Sequence, residues 1–119
     1  MHGLGELEAV VMDVVWGSAE PQSVRDVLAE ITATRPLAYT TVMTVLDNLH
    51  RKSWVTRERQ GRAYFYSPSA TREEAAARAL RELLASTGDP DGVLLHFVRS
   101  ASEGESALLR RGLEERTDR

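Results

Sequence analysis

The sequence predicts a mainly α-helical chain with one small β-hairpin: a winged helix-turn-helix domain over residues 1–70, then a three-helix segment over residues 71–119. Three observations carry this. Val42, Val45, Leu46 and Leu49 recur at i, i+3, i+4 and i+7, the spacing of one buried helix face. After Lys52 the period changes: Trp54 to Arg59 and Ala63 to Tyr66 are rich in β-branched and aromatic residues, with Gln60-Gly61-Arg62 between them as a turn. Beyond Pro68 only helical periodicity remains.

Taken in order, Leu4, Leu7, Val10, Val11, Val14 and Val15 stripe a first helix, which Gly17 is placed to end. Glu20-Pro21-Gln22 cannot continue it and reads as a short extended link, the usual place of a third, minor strand in a winged helix. Ser23 opens a second helix as N-cap, with Asp26 at N3 adding negative charge to its first turn. Val24, Val27, Leu28 and Ile31 give that helix one buried face, and Thr34-Arg35-Pro36 breaks it. The third helix is expected from about Tyr39 to Ser53. Two short amphipathic helices around a proline-containing turn, the second rich in hydroxyls, follow helix-turn-helix logic, and the hairpin makes it winged. In the last strand Tyr64 and Tyr66 share a face, and Phe65 on the other is expected in the core.

Thr71 with Glu74 and Ser102 with Glu105 form capping boxes, and Asp89-Pro90 is an N-cap with proline at N1. The helices they open carry the stripes Ala76, Ala79, Leu80, Leu83 and Leu84, ended by Gly88; Val93, Leu94, Phe97 and Val98; and Leu108, Leu109 and Leu113. The charged tail from Glu114 to Arg119 is expected to fray. A segment of about 45 residues seldom buries enough apolar surface to fold alone, so these stripes need a partner. The economical partner is the same segment of a second chain, which makes Leu80, Leu83, Leu84, Val93, Leu94, Phe97, Val98, Leu108, Leu109 and Leu113 a candidate dimer interface. Folding back on residues 1–70 is the alternative.

The third helix carries Thr40, Thr44, Asp47, Asn48 and Arg51 opposite its apolar face. Short hydroxyls and amides suit base edges in a major groove, and basic residues suit phosphates. Between Arg35 and Arg62 six basic residues face two acidic ones, a net of +4 in a chain whose total is −3. Such a local reversal of sign fits a protein that meets nucleic acid with one face. The base-edge or nearby phosphate candidates are Thr40, Thr41, Thr44 and Asn48, the phosphate candidates are Arg51, Lys52, Arg57, Arg59 and Arg62, and Tyr39 joins the DNA-binding set. Tyr39 has two uses open to it, packing under the hairpin or reaching a phosphate. Asp47 also has two: pairing with Arg51 at i+4 or accepting from a cytosine amine.

The runs LEAVVMDVVW, QSVRDVL and AYTTVMTVLDNLHRK, with the hairpin ending YFYSP, resemble the winged-helix domain of the penicillinase repressors of the BlaI/MecI type. The resemblance implies a dimeric bacterial transcriptional repressor whose third helix contacts a palindromic operator, of β-lactam-resistance or stress-response genes. It further implies release through a membrane sensor whose signal leads to cleavage in the dimerisation segment, beside a phenylalanine preceded by asparagine. The counterpart here is His96-Phe97 within LLHFV, with His in place of Asn. A plain core role for Phe97 is the other reading.

Other function classes find little support. Apolar content of 42% with 28% charged is ordinary for a soluble globular protein, and no apolar run approaches a membrane span. The start MHGLGELE lacks a signal peptide's basic and apolar regions, so a cytoplasmic protein is expected. Without cysteine there is no disulfide, thiol catalysis or Cys-ligated zinc or copper, and the direct copper sensing through C-terminal cysteines found in some members of the resembled family is not expected here. Histidines at 2, 50 and 96 are too scattered for a metal site, and no phosphate loop, nucleophile elbow or carboxylate pair suggests an enzyme or a cofactor. The rival reading is a winged-helix module that binds an acidic protein, which would lack operator-like sequence selectivity.

Overall fold

A computed structural model describes Met1 and residues 3–117; His2 and the Asp118-Arg119 end of the charged tail lie outside the described residues. The elements are α1 (Glu6–Gly17), α2 (Val24–Thr32), α3 (Tyr39–Arg51), β1 (Val55–Gln60), β2 (Ala63–Pro68), α4 (Arg72–Ser86), α5 (Pro90–Arg99) and α6 (Glu103–Thr117). The strands pair antiparallel from Val55↔Pro68 to Gln60↔Ala63, closed by a turn at Gly61, whose φ of 63° suits glycine. Gln22 and Tyr66 exchange both backbone hydrogen bonds at 2.8 Å, so the link before α2 supplies the expected third, minimal strand. The fold is the winged helix-turn-helix that the sequence predicts, followed by helices.

Local chemistry explains the boundaries. Ser23 Oγ accepts from the Asp26 amide while the Asp26 carboxylate accepts from the Ser23 amide, at 3.1 and 3.0 Å. The chain leaves α3 through a left-handed Ser53, φ 66°. There the Ser53 amide donates to His50 O at 3.1 Å and the Trp54 amide to Leu49 O at 2.9 Å. This is a Schellman closure with serine where glycine is usual. It ends α3 short of the expected Ser53 and sets Trp54 outside β1.

Met1–Ala79 form one compact unit and Leu80–Arg119 a second. The core of the first joins Val11, Met12 and Val15 of α1, Val24, Val27 and Ile31 of α2, Val42, Val45, Leu46 and Leu49 of α3, and Val55 and Tyr66 of the hairpin. Each such apolar side chain, fully buried, is worth about 1.5–3 kcal/mol, so a charge at Leu46 would undock α3. Three expectations are corrected here. The buried face of α1 is turned towards Met12, which is fully buried, while Val10 and Val14 are only partly so. Trp16, beyond Met12 on that side, explains the turn: its ring packs edge-to-face on Trp54 at 6.2 Å and its Nε1 donates to Ala70 O at 3.1 Å. Phe65 is half-buried and outside the core, and Tyr66 is the core aromatic instead. At the start of α4 Ala75, not Ala76, is buried, together with Ala79.

The second unit is helical throughout its described length apart from short turns. Gly88 at φ 79° ends α4, Asp89 caps α5 by accepting from the Gly92 amide at 3.1 Å, and Ser102 with Glu105 caps α6. The tail is not frayed over Glu114–Thr117: α6 runs to Thr117, supported by an Arg111–Glu115 pair at 2.9 Å. None of its described residues is buried. Leu84 is half-buried, while Leu80, Leu83, Val93, Leu94, Phe97, Val98, Leu108, Leu109 and Leu113 are exposed, joined by Leu95, which the stripes had left out. No described helix is long and apolar enough to cross a membrane.

Candidate nucleic-acid interface

With Val42, Val45, Leu46 and Leu49 buried, the outer side of α3 is fixed by helical geometry. Thr40, Thr44 and Arg51 are exposed there, Thr41, Asp47 and Asn48 half-buried at its margins. Thr44 Oγ1 donates to Thr40 O at 2.9 Å, which leaves its lone pairs and methyl group outward. Asn48 Oδ1 accepts from Arg51, leaving the amide NH2 as the available donor. Tyr39 and Met43 are each 44% exposed at the flank of the helix that faces the hairpin. They line a cleft with Arg62 and Tyr64 of the hairpin, Ser23 at the N-cap of α2 and Arg25 within it. Met43 and Arg25 were not singled out by the sequence pattern, Met43 because it breaks a polar face and Arg25 because it lies outside the basic run.

The basic residues divide into two groups. Asp47 Oδ1 accepts from Arg57 at 3.1 Å and Oδ2 lies 3.8 Å from Arg51 Nε, so the carboxylate ties β1 to α3. Arg57 stacks over the Tyr64 ring at 4.1 Å and is 23% exposed. Hydrogen bonding to Tyr66, opposed by burial and reinforced by Asp47, raises its pKa above the usual arginine value. Lys52 lies 2.8 Å from Glu8 of α1, whose side chain is only 12% exposed. Burial alone would raise the Glu8 carboxyl, but hydrogen bonds from Lys52 and the Gly5 amide hold it below the usual glutamate value. Arg35 pairs with Glu6 at 3.7 Å. Arg59 and Arg62, exposed at the hairpin tip, have no acidic partner among the described residues; Arg59 donates to Gly61 O at 3.1 Å. The positive charge without an acidic partner among the described residues is therefore at the tip, while Arg51 at the end of α3 is 69% exposed and only weakly held by Asp47.

His50 is half-buried on α3 and His96 exposed on α5; among the described residues no group of three His, Asp or Glu is placed to hold a metal ion. His96 and Phe97 line a shallow cleft with Asp89, Val93 and Ser100, and Phe97 is 49% exposed.

Comparison with known proteins places this architecture. Residues 4–115 match the family model described as penicillinase repressor. The chain is 44% identical over 115 residues to the transcriptional regulator BlaI of Mycobacterium tuberculosis, covering 94% of this chain and 83% of that protein. Among solved structures it is similar to the DNA binding domain of the repressor BlaI, with a TM-score of 0.54, 23% identity and coverage of 62% of this chain and 93% of that one. It is also similar to monomeric Bacillus licheniformis BlaI in complex with the blaP half-operator, with a TM-score of 0.50, 24% identity and coverage of 60% and 85%. These two likenesses extend to the fold. The family match spans both units, and this chain belongs to the penicillinase repressor family.

Proposed function

We propose that the protein is a sequence-specific DNA-binding transcriptional repressor that acts in the cytoplasm as a homodimer on palindromic operators. The observation that carries this is the outer face of α3: Thr40, Thr44, Asn48 and Arg51 stand opposite four buried residues, beside a hairpin whose tip holds Arg59 and Arg62. An α-helix with such a face fits a major groove, and the tip suits the adjoining backbone as a wing. A 44% identical relative that is a transcriptional regulator, and the half-operator complex of a protein of the same fold, support the assignment. Residues 1–70 serve as the DNA-binding domain and residues 71–119 as the dimerisation domain, where exposed Leu80, Leu83, Phe97, Leu108 and Leu113 supply the apolar surface for a two-fold interface. Operators of β-lactam-resistance or stress-response genes are the proposed targets.

Selection of duplexes from a randomised pool by the full-length chain tests this. The selected sites should be palindromic, with half-sites about one helical turn or a multiple of it apart, and binding should fall log-linearly with salt while keeping its preference over scrambled duplex. Thr44→Ala should alter the selected sequence. Binding without any preference among duplexes would instead support a module that docks an acidic protein.

A further inference from the structure

The outer face of α3 is poor in the groups that usually read bases by paired hydrogen bonds. No Arg, Lys, Asn or Gln lies between Tyr39 and Asp47, so the first two turns have no side chain able to form a bidentate contact with guanine or adenine. The Thr44 hydroxyl hydrogen is already given to Thr40 O at 2.9 Å. The Asp47 carboxylate is occupied by Arg51 and Arg57. Next to these, on the flank of α3 that faces the hairpin, stands Met43, an apolar side chain left 44% exposed on a helix whose other large apolar residues beyond Tyr39 are buried. The cleft beside it also holds Arg25 and Arg62, cations suited to the phosphates that flank a base step.

A thioether with three rotatable bonds adapts its shape to an apolar partner. The apolar group that a base pair presents in the major groove is the C5-methyl of thymine. We propose that Met43 determines specificity by packing on a thymine methyl group in each half-site, with the methyl groups of Thr40 and Thr44 continuing that contact. The proposal rests on α3 being the recognition helix, and it names the base that the helix selects and the residue that selects it.

The test replaces thymidine by deoxyuridine, one position at a time, in a duplex selected by the full-length wild-type chain. Deoxyuridine keeps every hydrogen bond of the pair and removes only the methyl group. At one thymine per half-site or more, wild-type affinity should drop about fourfold for each methyl lost, the effect of removing one methyl from a buried apolar contact. Met43→Ala should bind the thymidine duplex more weakly and show no further loss with deoxyuridine at that position. Met43→Gln, similar in length but polar, should behave likewise, and Met43→Leu should retain most of the methyl dependence. Indifference of the wild-type chain to deoxyuridine at every thymine would overturn the proposal, as would a full deoxyuridine penalty persisting in both Met43→Ala and Met43→Gln. Either result, obtained on a duplex that the chain still prefers over a scrambled one, leaves its role as a DNA-binding repressor intact; absence of any preferred duplex would remove that role as well.

Discussion

At the level of single residues, Asp47 is the pivot of the candidate interface. A carboxylate repels phosphate, yet here it holds Arg57 at 3.1 Å and Arg51 at 3.8 Å, so its charge is answered before DNA arrives. Asp47→Ala should release both guanidiniums: binding to scrambled duplex should strengthen, while preference for the selected duplex should fall because β1 loses its tie to α3. Competition binding measures both, and an unchanged ratio of selected to scrambled affinity would show that the tie has no part in recognition. Glu8 makes a different prediction. Its pKa is depressed in the folded chain, so its contribution to stability is present above the unfolded value of about 4.5 and is lost as pH falls through the folded value. Thermal melts of Glu8→Gln should therefore differ from wild type at neutral pH and converge with it in acid.

The exit from α3 and the hairpin show what an element adds to its residues. Ser53 occupies a left-handed conformation that side chains other than glycine adopt at a cost, so Ser53→Gly should stabilise the chain by about 0.5–1 kcal/mol in denaturant unfolding. At the tip, Arg59→Ala or Arg62→Ala should each lower the salt slope of binding by about one and weaken selected and scrambled duplexes alike. Lys52→Ala should change that slope less, because its ammonium is held by Glu8. The sequence made the elements themselves legible: the N-cap at Ser23, the capping boxes at Thr71 and Ser102 and the α3 stripe all have strictly local causes. It did not reveal which arginine of β1 turns inward. Period two puts Val55, Arg57 and Arg59 on one face, but only Arg57 lies opposite Tyr66, within reach of Asp47 on α3. The same holds for Phe65, since apolar character does not tell which face of a two-stranded ribbon meets the helices. Met43 escapes periodicity, which reports where apolar residues ought to be, because it stands where they ought not.

For the molecule as a whole, the exposed apolar helix faces set the assembly that we propose. A fragment ending at Ala79 keeps the entire first compact unit, including buried Ala75 and Ala79. It should sediment as a monomer while the full chain sediments as a dimer. It should also bind a single half-site with the affinity of one domain, having lost the gain that comes from linking two. Dimerisation of this fragment as tight as that of the full chain would place the interface within residues 1–79. Proteolytic release at His96-Phe97, which family membership suggests, would sever α5 and separate the Leu108, Leu109 and Leu113 stripe from the DNA-binding unit. Mass spectrometry of the protein recovered from cells after a cell-wall antibiotic should then find chains ending at His96, whereas intact chain alongside derepressed genes would mean release by another route.

The indole pair of Trp16 and Trp54 gives the protein a built-in optical reporter. These are the only tryptophans in the sequence, and both sit where β2 hands over to α4, with Arg72 over the Trp16 ring at 5.4 Å. Excitation at the red edge of protein absorbance therefore addresses that junction, together with the exit from α3 to which the Trp54 amide is bonded. An operator titration that alters the emission records a rearrangement at the root of α4, and one that leaves it constant identifies the root as a rigid mount for the reading head.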